Sequence, residues 1–429
     1  MEAVETSCVI AGGGPAGMML GLILARAGLD VVVLEKHKDF FRDFRGDTIH
    51  PSTISILGEL GLRERFLALP HTSIRTLDAV INGSRLHPID FGRLSPPDDF
   101  LVLAPQWDFL NFLAAEGATY PGFHLMMETE ALDVIVEGAG IRGVVVRGPD
   151  GEREVRAPLT VAADGRDSRI RSAAGLRPRR FGVGIDVLWF HLPKPEPEPP
   201  STLAYIDHGA MVITIDRGDY YQAGMIIPKG GFDDLKAGGI EAFRAHLVAA
   251  APVLDSVADA VTSWDDVKLL SVQINRLERW YRTGLLAIGD AAHAMSPAFG
   301  VGVNYAVQDA VAAANALAAP LRSGAVDLRV LDAIQERRLP PVRRMQKLQL
   351  AAHERIARPG GLSFLPNPMP RAVHLAVGAA TPVIQRVTAR MIGRGFLPES
   401  VAPELREPAA GAAAGAAAGI RREASERSR

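Results

Sequence analysis

The sequence predicts an α/β protein in which a Rossmann-like nucleotide-binding domain is interleaved with an antiparallel-sheet domain and followed by C-terminal helices. Three observations predict it. A short apolar strand at the N-terminus runs through a glycine-rich turn into an apolar helix and a second strand, the order of a βαβ unit. Twice further on, the pattern changes to strands broken by Gly, Pro and Asp. The chain then returns to a strand and a long Ala-rich helix.

Ser7 to Ile10 is the first strand, and Ala11-Gly12-Gly13-Gly14-Pro15-Ala16-Gly17 follows it. The helix expected from Pro15 to Ala27 is apolar nearly all round through Met18, Met19, Leu20, Leu22, Ile23 and Leu24, which predicts burial. Gly28 ends it. Val31-Val32-Val33-Leu34 is a β-branched run stopping at Glu35, the composition of a parallel strand covered on both faces. From Thr76 to Arg93 and from Phe181 to Leu270, strands such as Met211 to Asp216 and Tyr220 to Pro228 are expected in an antiparallel sheet, without regular helices between them. The Pro-rich run from Pro193 to Pro200 reads as a loop or stiff linker. Between these blocks Trp107 to Ala115 reads as a helix and Val161 to Asp164 as a strand end, so the chain leaves the first domain and comes back. Leu285 to Ile288 is a further strand, Gly302 to Leu321 a long helix, and helical segments continue to about Gly395.

The expected divisions are therefore a discontinuous nucleotide-binding domain (1–75, 101–180 and 270–345), a substrate-binding sheet domain (76–100 and 181–269), a C-terminal helical segment (346–406) and an Ala/Gly tail (407–429). The tail has too little apolar side chain to offset the entropy of ordering it, so it is expected to be disordered.

Composition narrows the function. The chain has 429 residues, 48% hydrophobic and 22% charged, an ordinary globular balance with room for two or three domains. A net charge of -2 gives no basic stripe for nucleic acid, which leaves small molecules as partners. Cys8 is the one cysteine, so no intrachain disulfide forms and no metal cluster is expected. The chain shows neither a signal-peptide pattern nor an apolar run of the roughly 20 residues that a membrane span needs. A soluble, cytoplasmic protein is the expectation.

Gly12-x-Gly14-x-x-Gly17 sits where a dinucleotide fingerprint requires it, after a strand and opening a helix, with Pro15 and Ala16 between the last two glycines. The turn lets a pyrophosphate approach the backbone, and the helix N-terminus offers it free N–H groups. Glu35 stands at the end of the second strand, about 20 residues on, where a carboxylate accepts hydrogen bonds from ribose hydroxyls; Lys36 is beside it. This fingerprint serves FAD and NAD alike. A second motif separates them: Ile288-Gly289-Asp290-Ala291-Ala292-His293 ends a strand, and Pro297, Gly300, Gly302, Val303 and Asn304 lead into the long helix. An Asp at a strand end binds the hydroxyls of a ribityl chain, which NAD lacks. Gly300 and Gly302 let backbone N–H groups face the pyrimidine end of a flavin, where negative charge gathers on reduction. The cofactor expected is FAD.

With Asp164-Gly165-Arg166-Asp167-Ser168-x-x-Arg171 added, the motifs spread over about residues 6–350 and the chain resembles the flavin-dependent aromatic hydroxylases of the para-hydroxybenzoate hydroxylase type. The resemblance implies that family's fold, a Rossmann-like FAD-binding domain interleaved with a substrate-binding sheet. It implies that Asp164 and Gly165 lie near the FAD pyrophosphate and the path of NADPH or NADH. It also implies a monooxygenase in which NAD(P)H reduces FAD, and a flavin C4a-hydroperoxide passes one atom of O2 to a phenol or other electron-rich aromatic substrate. Arg45, in Phe44-Arg45-Gly46-Asp47, resembles the family arginine beside the flavin, and Gln106 resembles a glutamine at the ribityl and phosphate region. Arg45 and Pro297 are the positions expected to place flavin and substrate for catalysis.

Tyr205, Met211, Tyr221 and Met225 from the predicted sheet are candidates for the substrate pocket, as are Trp189 and Phe190, although strand residues of these types are most often core. His50 and His293 read as structural, and Ser168 has no paired base. A monomer or homodimer fits. Two other classes stay open, a flavin-dependent dehydrogenase or reductase on the same fold and a non-catalytic flavoprotein binding module. Fold alone does not choose among them.

Overall fold

Strand Cys8–Ala11, helix Pro15–Arg26 and strand Val31–Leu34 form the expected βαβ unit in the computed structural model, which describes residues 3–41, 48–81, 83–199, 204–207, 210–357, 371–409 and 412. The helix is buried from Ala16 to Arg26, as its all-round apolar sequence demands. It ends before Gly28, which takes φ +80°, a conformation that costs other residues a steric clash. In the six-stranded sheet, Val31–Leu34 and Thr160–Ala162 flank Cys8–Ala11 on its two sides, all parallel. Phe123–Met126 and Leu285–Ala287 extend the parallel set outward, and Tyr281–Arg282 adds an antiparallel edge. The order reverses at Cys8–Ala11, which opens a crevice at its carboxyl end, the place where doubly wound sheets bind ligands.

A second, seven-stranded sheet runs in the order Lys268–Leu270, Ile185–Pro193, Tyr220–Pro228, Ala210–Asp216, Ala204–Asp207, Thr76–Ile81, Ser84–Asp90. The blocks expected to share a sheet do so. Its pairs are antiparallel except for Ala204–Asp207 with Thr76–Ile81. The expectation that no regular helices interrupt the second block is corrected: Phe232–Ala237 and Gly239–Ala250 are helical, and a 3-10 stretch Pro252–Ala260 follows. Phe243, Leu247, Leu254 and Ala258 from these elements pack with Leu188, Phe190 and Val212, so the helices cover one face of the sheet. The sheet is apolar on both faces, and without these helices one of them would be bare.

The placing of a boundary at 345/346 also meets a correction. One helix, Leu328–Ala357, runs through it, with Pro340 and Pro341 inside. Helix Arg371–Thr388 and a π-helical turn Ala389–Arg394 follow. Of the expected tail, Glu407, Pro408, Ala409 and Ala412 are described. The Ala409 N–H donates to the Arg26 carbonyl at 2.9 Å, and Ala412 is buried. No helix among the described residues is long and apolar enough to cross a membrane, and no group of His, Cys, Asp and Glu among them could hold a metal ion.

Candidate active site

The crevice at the end of Cys8–Ala11 is one end of a cavity of about 1550 Å³ that continues to the seven-stranded sheet. Gly12, Gly14, Pro15 and Ala16 line it, and Glu35 and Lys36 stand at its rim from the next strand. Gly12 takes φ +113°, and a Cβ there would lie 2.3 Å from the Ala163 carbonyl oxygen. Gly17 is not in the wall: a Cβ on it would come within 2.0 Å of the Gly12 carbonyl oxygen, so it lets the helix close on the turn. Gly14 differs from both. A Cβ there would meet no protein atom within 4 Å, which leaves room for a phosphate against the backbone at the helix start. Glu35 accepts the His37 N–H at 3.0 Å.

Gln106, at the start of helix Gln106–Gly117, and Asp164 and Gly165, in the loop after strand Thr160–Ala162, line the cavity. The Asp164 carboxylate accepts the Arg169 and Ile170 N–H groups at 2.8 and 3.0 Å and the Ser168 hydroxyl. It thus caps the short helix Arg169–Ala173, and the Ser168 hydroxyl serves that cap. Arg171 is buried and donates to the Ala291 carbonyl at 3.0 Å and the Arg166 carbonyl at 2.9 Å. It ties the Asp164 loop to the Gly289–Asp290 turn, which brings Arg166 to 3.9 Å from the Asp290 carboxylate.

Asp290 lines the cavity, but Gly289 lies behind it. The Gly289 N–H donates to Asp309 at 3.0 Å, and the same buried carboxylate takes His293 Nε2 at 2.6 Å and Arg338 Nε at 2.8 Å. Burial alone would raise the Asp309 carboxyl, yet His293 and Arg338 beside it hold it below the usual carboxylate range. Arg338 also reaches Glu399 at 3.3 Å. His293 is therefore part of a buried network and does not face the cavity.

Pro297, Gly300, Gly302 and Val303 line the cavity together. The Gly300 N–H does not face a ligand as expected, because it donates to the Pro297 carbonyl at 3.0 Å. Helix geometry leaves the first N–H donors of helix Gly302–Arg322 without partners inside the helix. At Gly302 a Cβ would meet no protein atom within 4 Å. Phe299 takes φ +69°, a strained conformation for a residue with a Cβ, of the kind held at functional turns. Thr48 Oγ1 donates to the Gly300 carbonyl at 2.9 Å, and His50 spans from Gly300 to Ile392, its ring nitrogens 3.0 Å from each carbonyl. Burial pushes the His50 imidazole down to about 4. Asn304 is buried and accepts from Thr53 Oγ1 at 3.1 Å and from Ser52, behind the wall. Arg45 lies outside the described residues.

The far end of the cavity is bounded by the sheet, and strand register decides which side chains reach it. Val187, Trp189, Ile226, Met211, Ile213 and Ile206 share one face through the pairs Val187↔Ile226 and Met211↔Ile226 and line the cavity. Tyr205, Met225 and Phe190 alternate to the other face and pack in the helix-covered core, which corrects their expected place in the pocket. Tyr221 has the same parity, but near the start of its strand it lines the cavity edge. Opposite the sheet, the helix Leu328–Ala357 contributes Leu348, Ala352, His353 and Ile356, and the π-helical turn contributes Met391 and Ile392. The sequence reading named none of these last six. Their apolar spacing was visible, but only the tertiary fold turns it to the cavity.

Residues 5–348 match the family model described as an FAD binding domain. Over 394 residues the chain is 32% identical to 6-methylpretetramide 4-monooxygenase of Streptomyces rimosus, covering 90% of this chain and 93% of that protein. Among solved structures it is similar to p-nitrophenol 4-monooxygenase PnpA of Pseudomonas putida (TM-score 0.70, 20% identity, 91% of this chain and 95% of that one). It is similar also to P. aeruginosa PqsL in complex with 2-aminobenzoylacetate (TM-score 0.73, 22% identity, 84% of this chain and 98% of that one). Together with a glycine cradle that has room for a pyrophosphate at one end of an apolar chamber, these likenesses establish that the chain belongs to the FAD-binding-domain family, among its FAD-dependent aromatic monooxygenases.

Proposed function

We propose that the protein uses NAD(P)H and O2 to hydroxylate a flat phenolic substrate of several fused rings. The observation that carries this is one continuous cavity of about 1550 Å³, with the glycine cradle at one end to hold the cofactor and an apolar wall at the other against which an aromatic substrate can lie. The likeness to a monooxygenase named for 6-methylpretetramide supports it. FAD, when bound, supplies the redox chemistry and the reaction with O2.

The chain's own residues hold, orient and exclude water. The first turn of helix Pro15–Arg26 would take the pyrophosphate, Glu35 the ribose and Asp290 the ribityl chain. The first-turn N–H groups of helix Gly302–Arg322 would face the flavin's pyrimidine edge. Val187, Trp189, Ile213, Ile226 and Ile356 keep the substrate end dry, which protects a reactive oxygen-transfer step from water. The test is to incubate the purified yellow protein with NAD(P)H, fused-ring phenols and 18O2. Labelled product formed in step with NAD(P)H consumption is the expected result. Efficient anaerobic turnover with a quinone acceptor, and no oxygenated product in air, would establish a dehydrogenase instead.

A further inference from the structure

Gln222 sets an amide into the apolar face of the seven-stranded sheet. It pairs with His191 on one side and Ile215 on the other. Along its strand it alternates with Tyr221 and Ala223, which pack in the helix-covered core, and it shares the side of Gly224 and Ile226. Its side chain therefore stands on the face turned to the cavity, which Gln222 lines while 2% exposed. The next residue on this face is Gly224. A Cβ there would lie 2.9 Å from the Trp189 ring, so the indole fills the place of a side chain and the wall beside Gln222 is aromatic.

The direction of the amide follows from its contact with Arg217, whose Nη2 donates to Gln222 Oε1 at 2.9 Å. A guanidinium has no acceptor, so the amide oxygen must face it and the NH2 group points away. Arg217 is itself set against Trp107, with its guanidinium carbon 5.9 Å from the ring centre. Gln222 Nε2 has no hydrogen-bond partner among the described residues, and unlike the sealed Trp189 indole nitrogen it stays accessible to a water molecule. The cavity wall thus presents a neutral donor of fixed direction next to an aromatic ring.

We propose that Gln222 is a substrate-binding residue whose Nε2–H donates to a carbonyl oxygen on the ring system of the substrate. This rests on the fused-ring phenolic reading above. A carbonyl accepts and has no hydrogen of its own to place, so it matches a donor set in an apolar wall; a hydroxyl there would leave its own hydrogen to be satisfied. Gln222 and Gly224 are about 7 Å apart along the strand, so flat rings lying beside the Trp189 indole bring their edge to the amide. Rings without that oxygen displace water from the donor and offer no acceptor in its place.

The probes are 1-hydroxy-9,10-anthraquinone and 1-hydroxyanthracene, three-ring phenols that differ by the pair of ring carbonyls. Their dissociation constants are measured from the change in flavin absorbance of FAD-loaded wild type, Gln222→Leu and Gln222→Glu, with flavin content and thermal midpoint confirming the fold. Gln222→Leu should weaken the anthraquinone about fivefold and leave the anthracene nearly unchanged. Gln222→Glu keeps an acceptor for Arg217 but has no donor, so it should weaken the anthraquinone at least as much. An anthraquinone no more weakened than the anthracene in Gln222→Leu, or in Gln222→Glu if the leucine variant does not fold, overturns the role of Gln222 alone. Loss of FAD from variants that keep their fold also overturns it, because the amide then serves the cofactor. Binding of neither probe to any form overturns the fused-ring reading and this proposal with it.

Discussion

At Asp290 a carboxylate at the end of a strand faces the cavity while its neighbour Gly289 is pinned from behind by Asp309. Asp290→Ala should therefore leave the turn intact and remove a charged acceptor, weakening FAD by about 1.5–3 kcal/mol. The ratio of flavin to protein absorbance after gel filtration measures it, and unchanged flavin content and affinity would remove the assignment. Two buried histidines predict the response to acid. His50 and His353 are held near 4 against an ordinary 6.5, chiefly by burial. Between those values the unfolded chain takes up protons that the native state refuses, so stability is full above pH ~6.5 and falls as the pH drops toward ~4. Asp309, with a lowered carboxyl, adds a further loss below the usual carboxylate range. A thermal midpoint that holds or rises between pH 6.5 and 4.5 would contradict this.

Helix Leu328–Ala357 touches two parts of the site: Arg338 enters the network behind Gly289, and His353 lines the cavity. Arg338 and Asp309 are both 0% exposed, so Arg338→Met removes a buried cation from beside Asp309 and Glu399 and should cost about 3–5 kcal/mol in denaturant unfolding. The C-terminal contact is smaller. Ala409 satisfies the Arg26 carbonyl, one of the acceptors that the first helix leaves open at its end. Deleting residues 407–429 is therefore expected to cost about 1 kcal/mol in urea unfolding, where composition alone predicts no change. Helix Gly239–Ala250 was legible but unread: Phe243, Leu247 and Ala250 recur at helical spacing and are the residues it buries.

On the scale of the whole molecule, cradle and chamber form one cavity, so a substrate at the sheet end can change what happens at the flavin end. The family resemblance implies that substrate moves the flavin between two positions. Such a shift needs only differential affinity, and a ligand preferring the reducible state 100-fold supplies about 2.7 kcal/mol. Slow NAD(P)H oxidation by the protein alone, rising by about 10-fold or more with the true substrate, is the expected result. Stopped-flow flavin reduction with and without substrate checks it, and equal rates would separate reduction from substrate binding.

The sequence by itself determined the βαβ unit and glycine turn at one end of the cavity. Gly12, Gly14 and Gly17 are dictated by backbone geometry within a single turn, and the strand, helix and strand around them follow from composition within about 30 residues. Tertiary structure alone decided the substrate end. Side chains alternate along a strand, so choosing between Met211 and its neighbours in the wall, or between Trp189 and Phe190, requires knowing which face the helices cover. Both faces of this sheet are apolar, so hydropathy does not mark the one turned to the cavity. The buried set of His293, Asp309, Arg338 and Glu399, and the meeting of Ser296 with His353, join residues far apart in the chain. No local pattern encodes such contacts, because they exist only after the helices have packed.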